Sequence, residues 1–272
     1  MSINYEELTR IALKKNNFII IAEDIDKMNE TEFKEIRQLG FGASDSSKLL
    51  NVNPFPNGTT LDLIDEKVRG VFDETISKKA SVRMGKELES LILLKTQSVL
   101  KAYIYKPTSM FGNLQYHLNI NFDGVGFFGL GKDLDIRAIE AKLVTEYGRK
   151  YYNFQMAYKR TLDGEVQDST IEPNKPDFTN EENMQTRINK YADFYGIPVY
   201  YLTQLQQQIF SLGNDFGFLT VLDVKTWDIF VFKVYAHEDI IEYLKSSASE
   251  NWAIIEARRS IQNKNMNLPV SW

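Results

Sequence analysis

Hydrophobic positions in the first hundred residues follow a helical period. Residues 4–16 have helical spacing, and either Asn29 or Thr31 caps a short helix that ends at Arg37. The longest regular stretch is 80–100, where one face of the predicted helix collects large apolar side chains: Met84, Leu88, Leu91, Ile92 and Val99.

A glycine-rich turn at 39–45 separates these predicted helices. Ser44 or Asp45 is a suitable N-cap for a helix through Leu50, and Thr60 caps a further helix over 61–69. The turn therefore opens a helix with a polar side chain at its start.

After residue 106 the period changes to the alternation that is typical of strands. The predicted strands are 114–122, 125–130, 136–143, 216–224 and 229–235. Pro198 opens a helix over 198–212, and two helices, about 238–247 and 249–264, close the chain. The pattern predicts an α/β fold in which helices precede and follow a mixed sheet.

Length and polarity give the domain organisation. The 272 residues suit one domain over 1–272, with a C-terminal helical segment at about 238–265. The stretch at about 147–190 is polar and contains Asp163-Gly164, so we expect a partly helical insertion or flap there.

The composition restricts the kinds of functional site more than it restricts the fold. The chain has no cysteine and only two histidines, which excludes disulfides, thiolate zinc sites and a cysteine nucleophile. We expect both His117 and His237 to be structural or exposed. A metal would be held mainly by carboxylates, which favours magnesium or manganese. No apolar run is long enough for a membrane span and no secretory signal opens the chain, so we expect a cytoplasmic protein without a membrane partner.

The distribution of charge does not exclude a polyanionic ligand. The net charge of −5 argues weakly against nucleic acid, yet basic residues outnumber acidic ones between 132 and 160. The alternative is scattered solvated charge. Aromatic and basic side chains alternate in that stretch, and they either stack on bases or form the packed face of an amphipathic helix: Tyr147, Arg149, Lys150, Tyr151, Tyr152 and Phe154.

Three charged residues form the candidate chemical centre. Glu140 and Lys142 lie two apart in a predicted strand, so they face the same side, and Asp123 reaches them from the neighbouring strand. Converging carboxylates repel each other, and a divalent cation relieves that repulsion. Glu89 on the 80–100 helix is a candidate for a further carboxylate. The same spacing also fits an ordinary salt-bridged surface strand.

Five short blocks stand in order along the chain: 37–45 (RQLGFGASD), 83–89 (RMGKELE), 121–124 (NFDG), 140–142 (EAK) and 201–206 (YLTQLQ). Together they resemble the phage lambda exonuclease and YqaJ-type viral recombinase nucleases. The resemblance implies a PD-(D/E)XK, restriction-endonuclease-like core with a mixed central sheet flanked by helices. Phe122 stands where this family usually has a proline.

The resemblance also implies roles at the centre. Asp123, Glu140 and the carbonyl of Ala141 would be ligands of Mg²⁺, with Mn²⁺ as a substitute. Lys142 would orient the attacking water or act as its general base. Glu89 would bind through a metal-bound water or a second metal.

Three more positions match residues of that family. Gln204 would support the active site, while Arg37 and Ser44 would hold the 5′-terminal phosphate. Ser44 lies where a glycine-rich turn opens a helix, and backbone N–H groups attract phosphate there. An ordinary N-cap is the alternative for Ser44. Gln206, Gln207 and Gln208 follow on the same predicted helix, and we interpret them as a polar face.

These features predict a magnesium-dependent DNA nuclease, foremost a 5′→3′ exonuclease that acts on double-stranded DNA ends in phage-type recombination. Its expected partners are a single-strand annealing protein and, in a ring, further copies of this chain. It would work in the cytoplasm of a bacterium or phage-infected host cell. One rival function is an endonuclease of the same fold in restriction, repair or defence. Another is a catalytically silent DNA-binding protein.

Overall fold

The chain forms a mixed α/β structure, seen in a computed structural model that describes residues 3–56, 58–70, 80–129, 131–162, 164–169 and 174–266. None of the helices in those ranges is both long and apolar enough to cross a membrane. The α-helices of the described residues are α1 (Tyr5–Lys14), α2 (Glu30–Arg37), α3 (Ser46–Leu49), α4 (Thr60–Arg69), α5 (Ala80–Leu100), α6 (Met184–Tyr195), α7 (Val199–Leu212) and α8 (Glu238–Met266).

Two sheets contain the strands. The smaller sheet has the order β1-β4-β5-β2 and the larger one β3-β6-β7-β10-β11-β8-β9. The strands are β1 (Phe18–Ala22), β2 (Phe41–Gly42), β3 (Tyr103–Tyr105), β4 (Met110–Asn113), β5 (Leu118–Ile120), β6 (Gly124–Phe128), β7 (Asp135–Val144), β8 (Lys159–Leu162), β9 (Glu165–Asp168), β10 (Phe216–Asp223) and β11 (Ile229–Tyr235).

Strand β7 lies inside the larger sheet, between β6 and β10. It pairs antiparallel with β6 and parallel with β10, which makes the sheet mixed as expected. Side chains of β7 alternate between two helices. Glu140 bonds to side chains of α7, whereas Ile139 and Ala141 pack in a hydrophobic cluster with residues of α5.

Helix α7 lies between the two sheets. Its apolar side chains Leu202, Leu205 and Ile209 are fully buried in the main core. Pro198 occupies its N-cap position, as the sequence predicts, and Gly213 ends it with a positive φ of 69°. One helix therefore supports both the central strand β7 and the smaller sheet.

Most helix predictions are confirmed, with small shifts at the ends. Asn29 caps α2 through a capping box with Glu32, whereas Thr59, rather than Thr60, caps α4. The two predicted C-terminal helices are one continuous helix, α8, because no glycine or proline interrupts 238–264. Of the predicted apolar face of α5, Met84 is exposed while Ile92 and Val99 are buried.

One strand prediction is wrong, and one hairpin has no counterpart in the sequence pattern. The segment 114–117 is a turn rather than the start of a strand, because the side chain of Asn113 accepts from the N–H groups of Gln115 and Tyr116, both at 3.0 Å. The stretch 147–190 contains the hairpin β8–β9, which pairs with β11 and widens the larger sheet. Residues 163 and 170–173 of that stretch lie outside the described ranges.

Candidate active site

The structure brings the three charged groups of the predicted centre together. The antiparallel register places Gly124 opposite Ile139, so Asp123 lies beside the middle of β7. Its Oδ2 accepts from the N–H of Ala141 at 3.0 Å and from the Lys142 ammonium at 3.2 Å. Lys142 also forms an ion pair with Glu140. The roles of these residues stay predictions, but their side chains share one place.

Two glutamines hold the carboxylate of Glu140. Gln204 donates to one of its oxygens and Gln208 donates to the other. These glutamines are four residues apart on α7, so both face β7. Glu140 and Gln208 are fully buried, and Gln208 is a residue of the site that sequence reasoning missed.

The electrostatics of the centre differ from those of a surface ion pair. Burial and the nearby Asp123 carboxylate raise the pKa of Glu140 to about 7, against the opposing effect of Lys142. Burial disfavours a charged Lys142, but the carboxylates of Asp123 and Glu140 outweigh it and raise the pKa of its ammonium. The ordinary salt-bridged surface strand therefore does not describe this arrangement.

Glu89 contacts a cation that sequence reasoning missed. Its Oε1 is 2.8 Å from the Nζ of Lys106. Burial disfavours the charged lysine, but Glu89, Asp26 and Asp123 together raise its pKa. Lys106 follows β3 in a loop, and no sequence pattern points to it. Glu89 and Asp123 therefore both act electrostatically on the ammonium of Lys106.

A cleft of about 190 Å³ connects the centre with the glycine-rich turn. Asp123 and Gln204 of the centre line this cleft together with Arg37 and Ser44. The guanidinium of Arg37 donates to the hydroxyl of Ser44 at 3.3 Å. Asp45, not Ser44, occupies the N-cap position of α3, so the ordinary cap proposed as the alternative for Ser44 is wrong.

A buried ion pair supports that turn. Asp45 accepts from the N–H of Gly42 at 3.0 Å and lies 3.2 Å from the Nζ of Lys67. Lys67 also donates to the carbonyls of Arg37 and Gly40, each at 2.8 Å. Burial works against a charged Asp45, but the cations of Lys67 and Arg37 hold its pKa below the usual value. The side chain of Asp45 thus shapes the turn and makes no capping hydrogen bond to α3.

The donor set fits a hard divalent cation. In the parts of the chain that the structure describes, no group of three or more histidine, cysteine or acidic side chains is placed to hold a metal. The candidate donors are therefore the carboxylates of Asp123 and Glu140, with the backbone of Ala141 between them. Oxygen ligands of this kind suit Mg²⁺ or Mn²⁺. A divalent cation at this place would relieve the repulsion from Asp123 that helps to raise the pKa of Glu140.

Aromatic residues after β7 divide between packing and exposure. Tyr152 and Phe154 stack on each other with ring centroids 5.5 Å apart and pack against Phe232. Tyr147 and Tyr151 are 89% and 58% exposed. The segment forms short 3-10 turns, not an amphipathic helix.

The run Gln206–Gln208 is buried, which contradicts its interpretation as a polar helix face. Gln207 donates to the carbonyls of Phe41 and Asn119 in the smaller sheet. Gln206 bonds to the backbone of Tyr235 and His237. Amide side chains can satisfy buried backbone groups in this way, because each carries both donors and an acceptor.

Both histidines have structural contacts. His117 stacks on Trp252 with centroids 4.7 Å apart, in a turn where its φ is 55°. His237 precedes α8, is buried, and shares a hydrogen bond of 2.9 Å with the hydroxyl of Tyr195. Burial lowers the pKa of His237 to about 4.

The buried His237 should make folding sensitive to acid. The unfolded chain binds a proton at this residue near pH 6.5 and the folded chain only near pH 4, so stability falls as the pH drops through that window. We expect about 2 kcal/mol less stability at pH 5 than at pH 7 from this residue. Urea unfolding of wild type and His237→Gln at both pH values measures it, and an equal change in stability for the two proteins would contradict it.

The fold and the family match give the class of protein. The larger mixed sheet flanked by helices has the fold of PD-(D/E)XK nucleases. The model of the YqaJ-like viral recombinase domain matches residues 32–215, and the chain belongs to that family.

Solved structures agree on the fold. LHK-Exo in complex with dAMP is 12% identical, with a TM-score of 0.56, over 86% of this chain and 97% of that one. The alkaline exonuclease LHK-Exo from Laribacter hongkongensis is 11% identical in a second structure, with a TM-score of 0.51 over the same shares. A comparison with curated proteins finds no significant match.

Proposed function

We propose that this chain is a divalent-metal-dependent deoxyribonuclease that digests double-stranded DNA from 5′ ends. The meeting of Asp123, Glu140 and Lys142, with Asp123 lining the same cleft as Arg37 and Ser44, carries the proposal. Family membership supports nuclease activity, and the structural relative LHK-Exo is an alkaline exonuclease. An annealing partner, a ring of copies and a role in recombination stay predictions.

Some of these side chains would act in cleavage, and others would position them. Asp123 and Glu140, with the Ala141 carbonyl, would hold the cation, whose chemistry is to neutralise the charge that develops on the phosphate. Lys142 lies beside both carboxylates, where its nitrogen can orient the attacking water. Gln204 and Gln208 fix Glu140 so that its oxygens keep one orientation.

The cleft explains why an end is the proposed substrate. Arg37 can grip a phosphate through two N–H groups, and Ser44 adds a hydroxyl. A terminal phosphate at this place would leave the neighbouring phosphodiester near Asp123, which lines the same cleft. This arrangement favours cleavage at a fixed distance from a 5′ end.

One pair of substrates tests the function. Linear duplex with Mg²⁺ should yield mononucleotides, and chelator should stop the reaction. A covalently closed circle of the same sequence should persist, since it offers no end. Rapid cutting of the circle would replace the exonuclease with the endonuclease alternative.

Replacing Arg37 tests the end-binding role. Arg37→Ala should reduce the preference for 5′-phosphorylated over 5′-hydroxyl ends by about tenfold, because a hydrogen bond to a charged group contributes about 1.5 kcal/mol or more. The measurement is kcat/KM on both ends. Arg10→Ala is the control, since Arg10 pairs with Glu6 and does not line the cleft. Equal use of both ends by wild type would remove the role.

Replacing Gln208 tests the clamp on Glu140. Gln208→Leu should lower metal-dependent hydrolysis by about 10- to 100-fold, as expected for a residue that orients a metal ligand. Extra metal should restore part of the rate, because the loss lies in metal binding. Gln185→Leu is the matched control, since Gln185 bonds to the Tyr243 hydroxyl on another helix. An unchanged rate and metal dependence in Gln208→Leu would contradict the clamp.

A further inference from the structure

A second cavity lies on the opposite side of the larger sheet. Arg137 lines it, and on β7 this residue shares the face of Ile139 and Ala141 instead of that of Glu140. The cavity of about 220 Å³ begins where α5 ends, at Leu100. The thickness of the sheet therefore separates it from the candidate nuclease centre, and none of the residues of the proposed nuclease reaction lines it.

Aromatic rings form the walls of this cavity. Phe216 and Phe218 of β10 have centroids 5.5 Å apart, and Phe128 of β6 lies 5.7 Å from Phe218. Tyr158, directly before β8, lies 6.5 Å from Phe218. Three of these rings are only partly buried: Phe128, Tyr158 and Phe216. Ring faces in a concave surface are suited to stack a planar base.

Three cations surround the rings. The guanidinium of Arg137 is 3.8 Å from the centroid of Phe216, and the Nζ of Lys233 is 4.5 Å from the same ring. The Nζ of Lys159 is 5.6 Å from Tyr158. Arg137 and Lys159 are only 12% and 18% exposed, so they have fixed positions. Such cations can bind a phosphate at the rim while the rings hold the base.

Carboxylates limit how many phosphates this surface accepts. Asp135 and Asp215 bind Arg137, and Asp168 lies 3.3 Å from Lys159. A long nucleic-acid backbone would bring repeated negative charge against these three acids. A ligand with one base and one phosphate avoids that repulsion. Asp135 lines the cavity, where it can also accept from a base N–H.

We propose that this cavity binds a single nucleotide, with the base packed against the partly buried rings of Phe216 and Tyr158 and the phosphate held by Lys233 and Lys159. The nucleotide is either free or the terminal residue of a strand. Because the cavity is across the sheet from Asp123, binding there is separate from hydrolysis.

Calorimetric titration of the full chain in chelator tests the proposal, with deoxyguanosine monophosphate as the probe. Binding should persist in Arg37→Ala, which weakens phosphate binding in the other cleft. Phe216→Leu and Lys233→Ala should each weaken it by about tenfold, since each removes one of the two anchors. Deoxyguanosine has the base but no phosphate, and inorganic phosphate has no base. Each should therefore bind more weakly than the nucleotide. Lys225→Ala is the matched control, because Lys225 is an exposed lysine that pairs with Glu146.

The outcomes are distinct. Equal affinity of wild type, Phe216→Leu and Lys233→Ala for the nucleotide would overturn the proposal, as would loss of all binding in Arg37→Ala. A short 5′-phosphorylated single strand that binds where the free nucleotide does not, with the same dependence on Phe216 and Lys233, would identify a strand end as the source. Hydrolysis of linear duplex by Lys233→Ala should match that of wild type. Failure of the nucleotide-binding proposal would therefore not affect the proposed nuclease function.

Discussion

Replacing Lys142 with alanine will lower the metal-dependent hydrolysis of linear duplex by about a thousandfold. Lys142 is the cation that touches both Asp123 and Glu140. Its loss removes the group that can orient the attacking water and leaves two carboxylates facing each other. Single-turnover rates with excess enzyme measure the effect, because they report cleavage without product release.

Two further proteins make that result interpretable. Glu140→Gln keeps the size of the side chain and should lose a similar fraction of the rate, while Lys225→Ala, an exposed lysine elsewhere, should keep it. Thermal melts show whether each variant is folded. If wild type hydrolyses duplex no faster than Lys142→Ala and Glu140→Gln, the chain is a silent DNA-binding protein rather than a nuclease.

Replacing Lys67 with alanine will reduce the free energy of unfolding by about 3–5 kcal/mol. The side chain of Lys67 is fully buried, and its ammonium contacts Asp45 and the carbonyls of Arg37 and Gly40. Its removal leaves a buried carboxylate without this cation and two carbonyls without this donor. Urea unfolding measures the loss.

The control for this prediction is a similar ion pair nearer the surface. Lys48 lies 3.3 Å from Glu66 with both side chains partly exposed, so Lys48→Ala should cost less than about 1 kcal/mol. A loss in Lys67→Ala no larger than in Lys48→Ala would show that burial does not decide the effect. A folded Lys67→Ala should also lose part of the preference for 5′-phosphate, since the carbonyl of Arg37 loses a donor.

Alternation along β7 explains why the centre could be predicted. Residues two apart share a face of any strand, so Glu140 and Lys142 had to point the same way whatever the rest of the fold. The Asp-Gly sequence at the start of β6 indicates the second carboxylate, that of Asp123. These are local rules, and they do not depend on distant packing.

The wrong prediction and the features that the sequence pattern misses have the opposite origin. Gln206, Gln207 and Gln208 have the polarity of a solvated face, and only the position of α7 between two sheets buries them. Lys106 reaches Glu89 from a loop whose path no periodicity describes. Both faces of the hairpin β8–β9 carry polar side chains. Its sequence therefore lacks the alternation of apolar and polar residues that marks a strand with one buried face.

Helix α7 has a consequence for how activity is lost on heating. Its glutamines tie β7, the smaller sheet and the start of α8 to one another through buried hydrogen bonds. None of these three elements can separate locally from α7 without exposing unsatisfied polar groups. Inactivation and unfolding should therefore occur in one cooperative transition, with no inactive native-like state at intermediate temperatures.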